Sequence, residues 1–197
     1  MPGRYPSQPK SKTALKLSAP ARRKLPSDLA QYFARCDEKI GFVPNVLAAY
    51  SFDADKLRAF ITMYNDLMFG ESSLSKLERE MIAVVVSSAN HCYYCLVAHG
   101  QAVRELSGDP ALGELLVMNY RAARLPRKQR AMLDYAHALT TRPAEVGNND
   151  AARLRKAGFK DRDIWDIAAI TGFFNMTNRL ATASEMMPNP EYHARSR

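Results

Sequence analysis

Six consecutive apolar residues, Met81-Ile82-Ala83-Val84-Val85-Val86, follow closely on a helix-start signal. Ser75-Lys76-Leu77-Glu78 fits a capping box, in which the serine and the glutamate each satisfy the other's free backbone N–H. A helix that is apolar on every side has to be surrounded by other elements. The β-branched valines would suit a strand, but the cap and the lack of a second strand candidate favour a helix. This segment therefore predicts a central helix with the rest of the chain packed around it.

The other signals are helical too. Ser27 opens a helix that closes near Gly41, and Pro44 to Ala49 form a short helical turn. Asp53 opens a long helix that Gly70 ends, with Leu57, Phe60, Ile61, Tyr64, Leu67 and Met68 at helical spacing. Cys92 begins a helix running to about Leu106, Asp109-Pro110 opens one ending near Tyr120, and Pro126 starts another. Asp150 to Ala157 form a short helix that Gly158 stops. Asp161 starts a long C-terminal helix through Trp165, Ile167, Ile170, Phe174 and Leu180, which Pro188 and Pro190 end. No β-hairpin signal or short repeat interrupts the series. The expected fold is all-α, a single-domain helical bundle, and 197 residues are enough to give it a sizeable core.

Charge separates the chain into an arm and a body. The net charge is +8, yet residues 1–24 carry Arg4, Lys10, Lys12, Lys16, Arg22, Arg23 and Lys24 and no acid. Residues 25–197, the expected helical domain, are left nearly neutral, which argues against nucleic acid as the partner of the folded body. Residues 1–24 also hold four of the eleven prolines and no apolar stripe, so they read as a basic, extended, solvated arm. No apolar run approaches the ~20 residues that span a bilayer. The basic start lacks the apolar core of a secretory signal, so the expected location is cytoplasmic. Three cysteines, Cys36, Cys92 and Cys95, do not make a disulfide scaffold, and in a reducing compartment a C-x-x-C pair points to catalysis or metal binding.

The chemistry concentrates in Cys92-Tyr93-Tyr94-Cys95-Leu96-Val97-Ala98-His99. On a helix, Cys92 and Cys95 at i,i+3 and Cys95 and His99 at i,i+4 line one stripe. Cys92 falls at the helix start, where unpaired N–H groups and the helix dipole depress a thiol pKa, and only the thiolate is nucleophilic. Glu78 is occupied by the capping box. Glu80, on the same buried helix, has no such task, and a buried carboxylate needs a partner. The expected partner is the His99 and thiol cluster, making a proton relay. His91 at the turn and Tyr94 between the thiols are possible accessories, although both tyrosines of the string are expected to pack. Zinc is the competing use of the cluster, but Cys92, Cys95 and His99 give three ligands of the usual four, and His91 or Cys36 would have to complete them. Two functions from different classes follow: a thiol redox enzyme, or a metal-binding or redox-sensing interaction protein. Cys36 is expected to pack as a small hydrophobe. Asn175, Asn178 and Arg179, a polar stripe in the last long helix, are expected to make helix–helix hydrogen bonds or a subunit contact.

At these residues the chain resembles the AhpD-like alkylhydroperoxidases of the carboxymuconolactone decarboxylase-like superfamily. Their pattern is a glutamate, a C-x-x-C pair twelve residues later and a histidine four after the second cysteine, and Glu80, Cys92, Cys95 and His99 fit at every spacing. Leu74-Ser75, Glu78-Arg79-Glu80, Ile82-Ala83 and Phe173-Phe174-Asn175-Met176-Thr177-Asn178-Arg179 look like the peroxidase-related branch, and the resemblance covers roughly residues 27–193. It implies an AhpD-like helical fold, assembly as homo-trimers or hexamers, and an antioxidant oxidoreductase with a redox-active disulfide. By carry-over, Cys95 attacks peroxide, Cys92 closes the disulfide, and Glu80 and His99 relay protons. No cofactor is implied; an external dithiol, lipoyl-type in some members, resets the enzyme. The best-known members have a histidine immediately before the second cysteine. Tyr94 stands there in this chain, and a phenol is a poor base near neutral pH. A decarboxylase activity from the wider superfamily would have no evident use for the thiol pair.

Overall fold

A computed structural model describes residue 9 and residues 11–197, and among them every regular element is helical. The helices are α1 (Ser27–Ile40), α2 (Asn45–Tyr50), α3 (Ala54–Phe69), α4 (Lys76–Ala89), α5 (Tyr93–Ser107), α6 (Pro110–Asn119), α7 (Arg127–Thr141), α8 (Asn148–Lys156), α9 (Asp161–Ala183) and α10 (Glu191–Ala194). The expected all-α bundle is therefore what the chain forms.

Helix α4 is the hub. Ser75 and Glu78 make the capping box, and every residue from Arg79 to Ser87 is buried. Helices α3, α5, α6, α7 and α9 all pack on it, which is the arrangement an all-round apolar helix requires. Its core includes Leu57, Met81, Val84, Leu133, Ile167 and Phe174. Several ends carry the expected caps. Asp53 accepts from the Asp55 and Lys56 amides, Asp109 accepts from the Ala111 amide, and Gly41 closes α1 in the left-handed conformation at φ 79°.

Three boundaries differ from expectation. Helix α8 starts at Asn148 because Asp150 lies inside it and accepts from the Gly147 N–H. Helix α9 stops at Ala183, ahead of both prolines, where Glu185 turns left-handed at φ 49°. The residues after Pro190 make the extra short helix α10. Buried Arg104 on α5 donates to the carbonyls of Tyr192 and Arg195, which folds this C-terminal tail back over α5.

The turn from α3 to α4 is built around buried Arg79. Its guanidinium donates to the carbonyls of Leu67 and Gly70 at 3.0 and 2.8 Å, and its Nε to Leu74 O at 3.1 Å. These are the carbonyls that a helix end and a loop would otherwise leave without partners. Ser72 and Ser73 of the same turn donate to Asp166 and Asp163 on α9, so α3, α4 and α9 are locked together.

The described part of the arm is extended apart from a single 3-10 turn at Arg22–Lys24. It lies on the body: Thr13 Oγ1 and the Ala14 amide both donate to Ser184 O, and Arg22 pairs with Asp37. The described residues of the arm within 1–24 are exposed except for half-buried Thr13, so these contacts touch the body without burying the arm; residues 1–8 and 10 lie outside the described residues. No described helix is long and apolar enough to cross a membrane.

Candidate active site

The turn between α4 and α5 sets up the site. The Cys92 amide donates back to Ser87 O at 3.0 Å, and His91 takes a left-handed backbone at φ 53° to reverse the chain. Cys92 becomes the N-cap residue of α5, and Cys95 and His99 follow one turn apart on the face turned toward α4 and α9. Both thiols are free, and both are buried.

Glu80 reaches His99, as its burial demanded. Glu80 Oε2 lies 2.6 Å from His99 Nδ1, with side chains only 9% and 13% exposed. The imidazole meets Phe174 edge-on at 4.7 Å, which fixes the ring plane. Tyr64 and Tyr192 stand close enough for the Glu80 charge to push their phenols up, reinforcing what burial already does. No buried side-chain nitrogen or oxygen among the described residues lacks a hydrogen-bond partner.

The two sulfurs share one negative charge. Cys92 is pulled down from 9.0 to about 7, chiefly by the hydrogen bond from the Cys95 thiol, against the opposing effect of burial. The Cys95 amide, the Thr182 hydroxyl and the His99 charge act in the same direction. Cys95 is pushed well up by that same hydrogen bond to Cys92, by burial and by the Cys92 charge, while Asn178 and Ser87 pull it down. Of the two thiols Cys92, at the helix start where the dipole favours an anion, is therefore the one that ionises first.

A cavity of about 230 Å³ opens onto Cys92. His91, Tyr93 and Tyr94 line one side, Thr182 and Met186 the other, and Pro9 and Ser11 of the arm sit at its edge. Cys95 lies behind Cys92 and does not line it. A second cavity of about 320 Å³, between α7 and α8, contains none of these groups.

His91 is exposed and contributes backbone shape to the turn. Tyr94 is 5% exposed, and its phenol oxygen accepts the Val46 N–H at 3.0 Å, which ties α5 to the start of α2. Burial raises its phenol further, so Tyr94 is no base. Cys36 is half-buried on α1 among core residues. No cluster of three or more His, Cys, Asp or Glu side chains among the described residues is arranged to hold a metal ion.

Three groups at the site were not picked out as site residues from sequence. Thr182 has no signature in the chain. Ser87 could have been found by the argument that found Glu80, because it is a polar residue in a helix buried on all sides. Asn178 belongs to the polar stripe of α9, and the helix–helix hydrogen bonds expected of that stripe are present: Asn178 Nδ2 donates to Ser87 Oγ at 3.0 Å, and Asn90 Nδ2 donates to Asn178 Oδ1 and Asn175 Oδ1.

A family model described as the carboxymuconolactone decarboxylase family matches residues 54–111, which span α3 to the start of α6 and include all four candidate groups. Among solved structures, an uncharacterized peroxidase-related protein from Silicibacter sp. TM1040 is 62% identical, covering 97% of this chain and 99% of that one, with a TM-score of 0.93. A second, described as an alkylhydroperoxidase AhpD core and an uncharacterized peroxidase-related protein from Ralstonia eutropha JMP134, is 40% identical, covering 97% and 98%, with a TM-score of 0.91. The debrominase Bmp8 is 20% identical, covering 91% and 95% at a TM-score of 0.77, a likeness of fold. Comparison with the curated proteins gives no match.

Proposed function

The chain belongs to the carboxymuconolactone decarboxylase family, in its AhpD-like peroxidase-related branch, and from that premise we propose that it is a thiol-dependent peroxidase. It reduces hydroperoxides through a Cys92/Cys95 dithiol–disulfide cycle, with Glu80 and His99 relaying protons. The observation that carries this proposal is the pair of free, buried thiols on one helix, the first of them lining a cavity, next to a buried carboxylate–imidazole pair.

The cycle begins with the proton between the sulfurs. The Cys92 thiolate takes the Cys95 proton as the Cys95 sulfur attacks the O–O bond. A sulfur–oxygen bond forms, the O–O bond breaks, and the departing alkoxide takes a proton supplied through His99 and Glu80. The Cys95 sulfenic acid condenses with the Cys92 thiol, water leaves, and the disulfide closes. An external dithiol, lipoyl-type compounds included, then restores both thiols by two exchange steps. Tyr94 has no proton to trade in this scheme, so His99, paired with Glu80, carries the relay. The exposed apolar side chains Trp165, Met176 and Leu180 on α9 support assembly as a homo-oligomer.

The test mixes reduced protein with an organic hydroperoxide and maps cysteines by mass spectrometry. A Cys92–Cys95 disulfide in the wild type, and an over-oxidised Cys95 in Cys92→Ser, are the expected results. No disulfide at millimolar peroxide refutes the peroxidase.

A further inference from the structure

The wall of the Cys92 cavity opposite Tyr93 and Tyr94 carries two methionines, Met186 and Met187. The chain leaves α9 through the left-handed Glu185, and the Met186 amide donates back to Ala181 O at 2.9 Å. Met186 is thereby folded against the last turn of the helix, buried in one cluster with Cys92, Tyr94 and Cys95. The residues from Met186 to Asn189 form no helix of their own. Methionine is a flexible side chain, so a wall made of it keeps its place only if its backbone is held.

Two asparagines hold it. Helix α2 opens after Pro44, which offers no capping side chain, so its first amides need acceptors from elsewhere. The Asn45 N–H donates to Asn189 Oδ1 at 2.7 Å, and Asn189 Nδ2 donates to Val43 O at 3.0 Å. In return, Asn45 Nδ2 donates to Met187 O at 2.8 Å. Both asparagines are buried, at 8% and 7% exposed. Each side-chain amide faces backbone groups of fixed role, an N–H that only donates or a carbonyl that only accepts, so neither can be turned over without losing its bonds. The next amide of α2, that of Val46, donates to the Tyr94 phenol oxygen. The start of α2 therefore sets the distance between the two walls. Tyr94 keeps its place through α5 as well, whereas the methionine segment depends on the asparagines.

The space left between the walls is small. Its volume of about 230 Å³ falls below the roughly 300–1,000 Å³ of sites that take drug-sized ligands. Two tyrosine rings and two thioethers make most of its surface apolar. An alkyl group gains contact there, and a group too large for the gap has to displace a pinned backbone. We propose that Asn45 and Asn189 are positioning residues that hold Met186 and Met187 beside the thiol pair, and that the wall they fix admits compact apolar hydroperoxides and excludes bulky ones. The inference rests on the peroxidase proposed above for the identity of the substrate, but not for the shape of the wall.

The experiment reads that shape at Cys92 in full-length reduced protein, without peroxide. Iodoacetamide and N-pyrenyl iodoacetamide share one chemistry and differ in bulk. Each rate is divided by the same reagent's rate with glutathione, and peptide mapping assigns the label to Cys92. The wild type should favour the small reagent by about twentyfold, within the range for steric discrimination by a pocket. Asn45→Ala, which removes the bond to Met187 O, should cut that preference by about fivefold, the net worth of one hydrogen bond. Met187→Ala, which removes the side chain and keeps the bond, should cut it at least as far. Partial unfolding exposes Cys92 to both reagents, so melting temperatures above the assay temperature by a wide margin are checked for each variant. Equal corrected rates in the wild type, or an unchanged ratio in either variant, would overturn the proposal. A second arm compares tert-butyl hydroperoxide with triphenylmethyl hydroperoxide. The first should close the disulfide about tenfold faster or more, and Met187→Ala should narrow the gap. Equal rates would overturn the proposal and leave the peroxidase standing. If neither closes a disulfide while the alkylation ratios hold, the wall stands and the peroxidase falls.

Discussion

Replacing Cys95 with alanine tests the shared charge directly. The largest influence holding Cys92 near 7 is the hydrogen bond from the Cys95 thiol, and alanine removes it while leaving the Cys95 amide, Thr182 and His99 in place. Cys92 then moves back toward its ordinary value of 9.0. If it returned the whole way, thiolate at pH 7 would drop from about half to about one molecule in a hundred. The rate falls less than that, because nucleophilicity rises with pKa at a Brønsted slope of about 0.4–0.5, so each remaining thiolate reacts roughly eightfold faster. Alkylation of Cys92 by iodoacetamide at pH 7 should therefore slow by about sixfold for the full shift and about twofold for half of it. At pH 10, where both proteins are ionised, the order reverses and the variant is faster by about three- to sevenfold. The two pH–rate curves should cross near about pH 8. Peptide mapping assigns the label to Cys92 and keeps Cys36 out of the measurement. Curves that run parallel, or a variant slower at every pH, would refute the shared charge and leave Cys92 lowered by its helix position alone.

Other perturbations separate relay, scaffold and charge. Glu80→Gln keeps the shape beside His99 and removes the proton acceptor; disulfide formation by an organic hydroperoxide should slow by about a hundredfold, in the range for lost acid–base catalysis, measured in a single turnover by stopped flow. Tyr94→Phe strips the acceptor from the Val46 N–H, so the unfolding free energy from urea titration should fall by about 1–3 kcal/mol while the disulfide still forms at wild-type rate. Arg79→Lys cannot serve three carbonyls with one ammonium and should lose about 2–3 kcal/mol in the same assay. Cys92 ionises at lower pH folded than unfolded, so it contributes stability that is complete above 9.0 and disappears as pH falls through about 7. The urea midpoint of the reduced protein should rise from pH 7 to pH 9, and Cys92→Ser should flatten that rise; Cys95, raised, opposes it only above pH 9.

The parts of the fold that were legible in sequence were the local ones. The capping box at Ser75, the cap at Asp53 and the apolar run from Met81 to Val86 each depend on residues within one or two helical turns. Spacing likewise put Cys92, Cys95 and His99 on one stripe, and burial of α4 left Glu80 in need of a partner, which His99 supplies. The end of α9 was misplaced because prolines mark where a helix cannot continue, whereas this one stops earlier, at the left-handed Glu185. The docking of the arm on Ser184 was invisible because its bonds join residues about 170 positions apart, through a backbone carbonyl that any sequence supplies.

The same division runs through the site itself. Sequence locates the two sulfurs, since they sit three residues apart on one helix, but it cannot say which one carries the charge. The hydrogen bond between the sulfurs does most to decide it, and α9 adds Thr182 beside one sulfur and Asn178 beside the other from more than eighty residues away. A C-x-x-C pair alone would place its anion on the N-terminal cysteine by the helix dipole and leave it there. Ser87 and Asn178 pull the second cysteine down as well, against its hydrogen bond to Cys92, its burial and the Cys92 charge, which together leave it raised.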